Sequence, residues 1–323
     1  MSQIVRRSVG VMLLLLSLAS WVLAADPFSI VVLPDTQYYN KLLATNLLGT
    51  QTQWIVQHKV ADNIVFVTQL GDITDEGTNS EYWINAQAGM ATLDGQVPYS
   101  VCFGNHDVRL KGRVVGADLC RANFGDPAHQ GQSTYRGKSP NGMSFYQTIE
   151  VSGFKLLHLN LTFDPDPQTL QWAQSVLTQN LGQPTIISTH DYLTLAGKRD
   201  TVGNHIWKNL VQPNAQVFLV MNGHYHGEAQ LISTNAAGGS VAQFLADYQS
   251  DPHGGDGWLR HLVFLPEAGE IQVKTYSPSL KQSATGPKSQ FTYSARFDAA
   301  ANTITITGLV PPLAATRPTP GQS

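Results

Sequence analysis

The sequence predicts an α/β fold built around a parallel sheet. Continuous apolar runs of strand length alternate with stretches of helical spacing, which is the pattern of strands buried on both faces. Several of the apolar runs end directly in a Gly, Asp, Asn or His. A chain of 323 residues, 42% apolar and 13% charged, is also long enough to bury a sizeable core.

The elements follow in order. Residues 28–33 form a β-rich run ending at Pro34, and residues 45–61 have helical spacing, with Leu47, Leu48, Trp54, Ile55 and Val56 on broad apolar faces. A second strand, 64–67, ends at Gly71-Asp72, and residues 80–93 read as a helix. A third strand, 99–103, ends at Gly104-Asn105-His106-Asp107. Residues 125–142 contain Gly, Ser and Pro and read as a long loop. Residues 144–150 and 154–161 form a hairpin turned by Ser152-Gly153. A helix over 167–181 places Leu170, Trp172, Ala173, Val176 and Leu177 on its core side. A strand over 185–189 ends at His190, a helix lies near 205–210, and a strand over 217–220 ends at Gly223-His224-Tyr225-His226. The remainder is mostly β: 240–246, 258–265, 271–276, 290–296 and 303–307. No internal repeat is present.

The two ends read differently. Arg6 and Arg7 precede an apolar run over 9–23, followed by Ala24 and Ala25. This is the pattern of a signal peptide of residues 1–24, with Val22 and Ala24 at the −3 and −1 positions of the cleavage site. The run is short for a bilayer-spanning helix, which needs about 20 residues. Export to the periplasm or medium is therefore expected, with no stable membrane insertion after cleavage. A domain over 25–280, a β extension over 281–310 and a disordered Pro-, Ala- and Thr-containing tail over 311–323 complete the expected organisation.

Composition excludes several classes. The formal charge of −3 argues against a protein that coats nucleic acid, and no basic tract with interleaved aromatics supports a nuclease. Two cysteines, Cys102 and Cys120, are too few for a disulfide scaffold or a Cys-based zinc cluster. Export permits a disulfide between them, while the apolar run around Cys102 suits a buried free thiol. The sequence decides neither this nor the oligomeric state.

The chemistry gathers at the strand ends. Pro34-Asp35-Thr36-Gln37, Gly71-Asp72, Gly104-Asn105-His106-Asp107, Thr189-His190 and Gly223-His224-Tyr225-His226 each follow an apolar run. Ligands in open α/β sheets bind outside the carboxyl ends of strands, so these five segments can converge although they are spread over residues 34–226. Carboxylates, imidazoles and an amide oxygen suit Mn, Fe or Zn, and there are more of them than one ion needs. Paired ions act as a clamp for displacement at phosphorus.

The series Asp35-x-Gln37, Gly71-Asp72, Gly104-Asn105-His106-Asp107, His190 and Gly223-His224-x-His226 resembles the calcineurin-like metallophosphoesterase superfamily over roughly residues 28–276. Residues 245–249 and 254–260 resemble an exported bacterial branch of it. The resemblance implies a four-layer α/β/β/α sandwich of two mixed sheets flanked by helices. It implies two divalent or trivalent metal ions and hydrolysis of a small phosphate ester, monoester or diester, by hydroxide held between them. Asp72 would bridge the ions; Asp35, Gln37 and His226 would serve the first, and Asn105, His190 and His224 the second. His106 would stand unligated near the leaving group, with Asp107 orienting its ring. Gln37 departs from the pattern, because many members carry His there, and an amide oxygen is a weaker, neutral ligand.

Simpler readings exist for each residue. Asp35 alone would be a turn residue, Asp72 a helix cap and Gly104-Asn105 a tight turn. None of these explains five endings together. His158, inside an apolar strand pattern, reads as structural; His58, His129, His205 and His261 have no motif, and His253 reads as exposed. Trp54, Trp83, Trp172 and Trp207 read as core. Gly254-Gly255-x-Gly257 lacks the Lys-Ser/Thr and helix of a phosphate-binding loop. The alternative to an enzyme is a metal-binding surface module that has lost catalysis.

Overall fold

The computed structural model describes residues 25–41, 46–110 and 113–310. The expected signal peptide and C-terminal tail lie outside the described residues. The first half of the chain contains β1 (Phe28–Leu33), α1 (Gln37–Lys41), α2 (Leu47–His58), β2 (Ile64–Gln69), α3 (Ser80–Met90) and β3 (Tyr99–Val101). It continues with α4 (Asn105–Val108), β4 (Arg109–Leu110), β5 (Arg113–Val114), α5 (Ala117–Phe124), α6 (Asp126–His129) and β6 (Tyr135–Lys138). Then come β7 (Phe145–Val151), β8 (Phe154–Leu161), α7 (Pro167–Gln179), β9 (Thr185–Thr189), α8 (Thr201–Ile206) and β10 (Val217–Asn222). The chain closes with β11 (Gly227–Thr234), β12 (Ser240–Asp247), β13 (Leu259–Leu265), β14 (Glu270–Ser277), β15 (Gln282–Ala284), β16 (Phe291–Asp298) and β17 (Thr303–Val310).

Two parallel groups position the strand ends. In one, β1 lies beside β2 and β2 beside β3; in the other, β8, β9, β10 and β12 run side by side. Strand β1 is buried throughout, and its side chains alternate between two cores. Ile30 and Val32 enter a central core shared with Phe66, Phe218, Met221 and Phe244, while Val31 and Leu33 pack outward among Leu48, Ile55 and Trp83. In β9, Ile186 joins the central core and Ile187 faces outward with Leu170, Val176 and Leu210. A strand that feeds two cores has no polar face, which is why these strands read as unbroken apolar runs.

Two separate sheets are not what forms. One hydrogen-bonded sheet of 15 strands runs β3-β2-β1-β13-β14-β16-β17-β12-β10-β9-β8-β7-β6, with β11 and β15 attached at its side. It curls so that its two ends share the central core. The continuity depends on β16 and β17, and the junction between β17 and β12 is a single register pair, Ser240 with Ile306. The expected β extension is thus woven into the core: Phe291, Tyr293, Ile304 and Ile306 are all buried in it.

Local signals explain the elements. Asp166 caps α7 by accepting from the Thr169 N–H at 2.7 Å, with Pro167 opening the first turn. Asp200 caps α8 through Gly203 N–H at 2.7 Å. Ser152 and Gly153 both adopt left-handed backbone conformations, as a tight hairpin between β7 and β8 requires. Within the expected loop over 125–142, the structure instead forms α6 and β6, the latter paired with β7. The Trp83 and Trp207 rings are buried; Trp54 and Trp172 are partly so. His158 is fully buried against Phe66 and hydrogen-bonds Ser188 Oγ at 2.9 Å. Cys102 and Cys120 are buried free thiols, Cys102 donating to the Leu161 carbonyl.

Candidate metal centre

Each predicted strand ending lies at the carboxyl edge of the sheet. Asp35 and Gln37 follow β1, Asp72 follows β2, Asn105 opens the turn after β3, His190 follows β9, and His224 and His226 follow β10. Tight backbone makes the convergence possible. Asp72 and His224 hold left-handed conformations, with φ of 48° and 74°. A Cβ at Gly104 would stand 2.1 Å from Asp72 Oδ1, and one at Gly223 would stand 2.0 Å from Asp35 Oδ1. Glycine is therefore the residue that fits at both points.

The best-formed part of the site surrounds His190 Nε2. Asn105 Oδ1 lies at 3.0 Å, His224 Nδ1 at 3.2 Å and Asp72 Oδ2 at 3.3 Å. Ligand atoms about 2.1 Å from an ion stand roughly 3.0–3.4 Å from one another, so these spacings match the edges of a coordination polyhedron. His190 Nδ1 donates to the Leu70 carbonyl at 3.0 Å, which leaves Nε2 with its lone pair toward the centre. The rings of Phe163, His190 and His224 pack around it in T-shaped and tilted contacts. The donor set fits a divalent or trivalent cation.

Electrostatics agree. Burial pulls the His190 pKa down, but the Asp72 and Asp35 carboxylates more than offset this and hold it near 10. Burial pushes Asp72 up, and His190 and His106 outweigh it, so Asp72 rests below the ordinary carboxylate value. His224 is lowered to about 4 by burial and by His190. A concentration of buried carboxylates that holds a proton on His190 attracts a cation to the same lone pair.

The other expected residues are placed less uniformly. Asp35 is buried, accepts from the His224 N–H at 3.1 Å and lies 4.0 Å from His190 Nδ1; burial and then the Asp247 carboxylate push its pKa well up. Gln37 is 1% exposed and its Oε1 has no hydrogen-bond partner, so a buried amide oxygen stands available for a ligand. His226 is exposed, and its two ring nitrogens lie against the Gln249 and Ser250 side chains.

Asp107 is a correction. Its carboxylate does not orient His106; it accepts from Gly104 N–H, Ile73 N–H, Thr74 N–H and Thr74 Oγ1, at 2.8–3.2 Å. It thereby ties the loop after β2 to the loop after β3. Burial, then Asp72, raises its pKa to about 7. The group that faces His106 is Asp75: His106 Nδ1 lies 2.8 Å from the Asp75 carbonyl and 3.7 Å from its Oδ1. Lys41 Nζ holds the other carboxylate oxygen at 2.6 Å. The His106 N–H donates to Asp72 Oδ1 at 2.8 Å, which anchors it beside the centre. Asp75 was not singled out by the sequence, although its position three residues after Asp72 offered a signal.

A calcineurin-like phosphoesterase family model matches residues 28–228, which include every expected metal ligand. The chain belongs to the calcineurin-like phosphoesterase family. A relative from Bacillus subtilis (strain 168), the uncharacterized protein YvnB, is 32% identical over 272 residues. That match covers 80% of this chain and 20% of YvnB, so the chain spans about one fifth of that relative's length. Among solved structures, the family fold is shared with the purple acid phosphatase PPD1 from yellow lupin (Lupinus luteus) seeds. The TM-score is 0.54 at 15% identity, covering 85% of this chain and 55% of that one. It is also shared with GAP50, the anchor in the inner membrane complex of Plasmodium. Here the TM-score is 0.51 at 13% identity, covering 82% of this chain and 89% of that one.

Proposed function

We propose that this protein is an exported bacterial metallophosphoesterase that hydrolyses small phosphate esters, monoesters or diesters, at a two-metal centre. The observation that carries the reading is the clustering of Asp72, Asn105, His190 and His224 at 3.0–3.3 Å around one imidazole nitrogen, in a chain of this family. Asn105, His190 and His224 would hold one ion, Asp35, Gln37 and His226 the other, and Asp72 both. When bound, such ions supply Lewis acidity to phosphoryl oxygens and make water acidic enough to attack near neutral pH.

The chain's own residues do the rest. His190 presents Nε2 because Leu70 fixes the proton on Nδ1. His106, with 40% of its side chain exposed, is open to an incoming ester while its backbone is tied to Asp72. With Nδ1 turned to Asp75, His106 has Nε2 free to give a proton to the departing oxygen. The Asp75 carbonyl fixes the ring angle, and the Asp75 carboxylate, held by Lys41, stands beside the ring. Asp107 holds the two loops at the distance this needs.

The N-terminal pattern of residues 1–24 supports export to the periplasm or medium. Among the described residues, no helix is long and apolar enough to cross a membrane. The second reading, a surface module without turnover, is favoured by one observation: the same fold carries a protein described as an anchor. Assaying phosphomonoesters and diesters with added Mn²⁺ separates the two. Turnover in wild type, lost together with metal content in Asp72→Asn, is expected; metal uptake without turnover of any ester would favour the module.

A further inference from the structure

Strand β12 delivers a carboxylate to the same edge of the sheet. It runs parallel to β10 with Leu245 beside Asn222, so Asp247 leaves the sheet level with His224. On its other side it pairs with β11, where Asp247 stands opposite Gly227, the residue after His226. The Asp247 side chain is fully buried. Its Oδ1 accepts from the Gln249 N–H at 2.9 Å, and its Oδ2 has no partner. A buried carboxylate oxygen without a partner, at the same edge of the sheet as the buried Asp35 and the unpartnered Gln37 Oε1, is a group that a cation would satisfy.

We infer that Asp247 supplies a carboxylate oxygen to the first metal site, a strong donor beside the weaker amide oxygen that Gln37 offers there. This rests on the two-ion reading above. A structural role for Asp247 accounts for Oδ1, which closes the turn at Gln249. It gives no reason for Oδ2, and an asparagine would close that turn equally well.

Asp247→Asn keeps the volume and the turn and removes the charge. Mn²⁺ binding to the full chain is measured by equilibrium dialysis, and thermal melting is followed with and without Mn²⁺. Wild type is expected to bind two ions. In Asp247→Asn one of them should weaken about 10–100-fold while the other is unchanged. The melting temperature without Mn²⁺ should stay level or rise, and the increase on adding Mn²⁺ should shrink. Two ions bound with wild-type affinity would overturn the inference. So would a lower melting temperature with the full Mn²⁺-induced increase, which marks a purely structural carboxylate. If Asp247→Asn does not fold, Asp247→Ser, which can still accept from Gln249, carries the same expectations. A wild type that binds no Mn²⁺ removes the two-ion reading and the inference together. A wild type with one ion that Asp247→Asn loses sinks only the two-ion count.

Discussion

At the residue scale, the value of His106 depends on the ester being cleaved. An alkoxide needs a proton as its bond to phosphorus breaks, whereas a nitrophenolate hardly does. His106→Asn should slow alkyl esters about 10²–10⁴-fold and nitrophenyl esters far less, with metal content unchanged. Asp75→Asn should reproduce that leaving-group pattern more weakly, because the backbone carbonyl still holds the ring and only the carboxylate charge beside it is lost. Equal losses on both ester types would assign His106 to charge stabilisation or positioning. A second residue, His158, makes a pH-dependent contribution that can be isolated. Burial lowers its pKa to about 3, against about 6.5 in an unfolded chain. The unfolded state therefore takes up the proton first, and stability from the neutral ring is lost as pH falls from about 6.5 toward 3. Buried Asp107 and Asp191, both raised to about 7, shift in the opposite direction, so total stability mixes both signs. The clean measurement is a difference. Urea midpoints of wild type should fall relative to His158→Gln between pH 7 and pH 4, and parallel curves would show that the ring does not titrate as its burial requires.

At the scale of elements, the carboxyl-edge loops work only if backbone and carboxylate share a very small space. Gly223→Ala would drive a methyl group into Asp35 Oδ1, so Asp35 must move. The expected outcome is a folded protein with metal affinity reduced about tenfold or more, read by dialysis. Unchanged affinity would place Asp35 outside the centre. Much of this was legible in the sequence. β1, β2, β9 and β10 are apolar on both faces, so each announced itself as a run, and the polar residues after each run marked the edge. The stretch over 117–138 was not legible. Its short helices bury only Cys120, Phe124 and His129, and its strand, Tyr135, Arg136, Gly137, Lys138, alternates half-buried and exposed positions in a polar context. Asp75 and Asp247 escaped for another reason. Asp75 is defined by His106 and Lys41, each more than thirty residues away, and Asp247 by Asp35, more than two hundred away. Partnerships at that range leave no periodicity.

At the scale of the whole molecule, the C-terminal hairpin belongs to the core. Phe291, Tyr293, Ile304 and Ile306 fill the space between the two ends of the sheet. At about 1.5–3 kcal/mol each, their burial contributes roughly 6–12 kcal/mol, comparable with the whole stability of a typical domain. A chain ending at residue 280 should therefore be unfolded or aggregated by circular dichroism and gel filtration. A stable, cooperative truncation would mean that the curl closes without β16 and β17.

The placing of β1 has a consequence for how the molecule is made. It is the first strand of the described chain, yet it lies inside the sheet, with β2 on one side and β13 on the other. β2 follows within a few seconds of synthesis, but Phe264, the partner of Phe28, emerges about 235 residues later. At about 5–20 residues per second, that is a delay of roughly 12–47 s. Throughout it, the edge of β1 that β13 will take carries an open row of backbone donors and acceptors. The sheet is thus obliged to remain unfinished on that side until β13 has been made, and the open edge of β1 needs shelter for that interval.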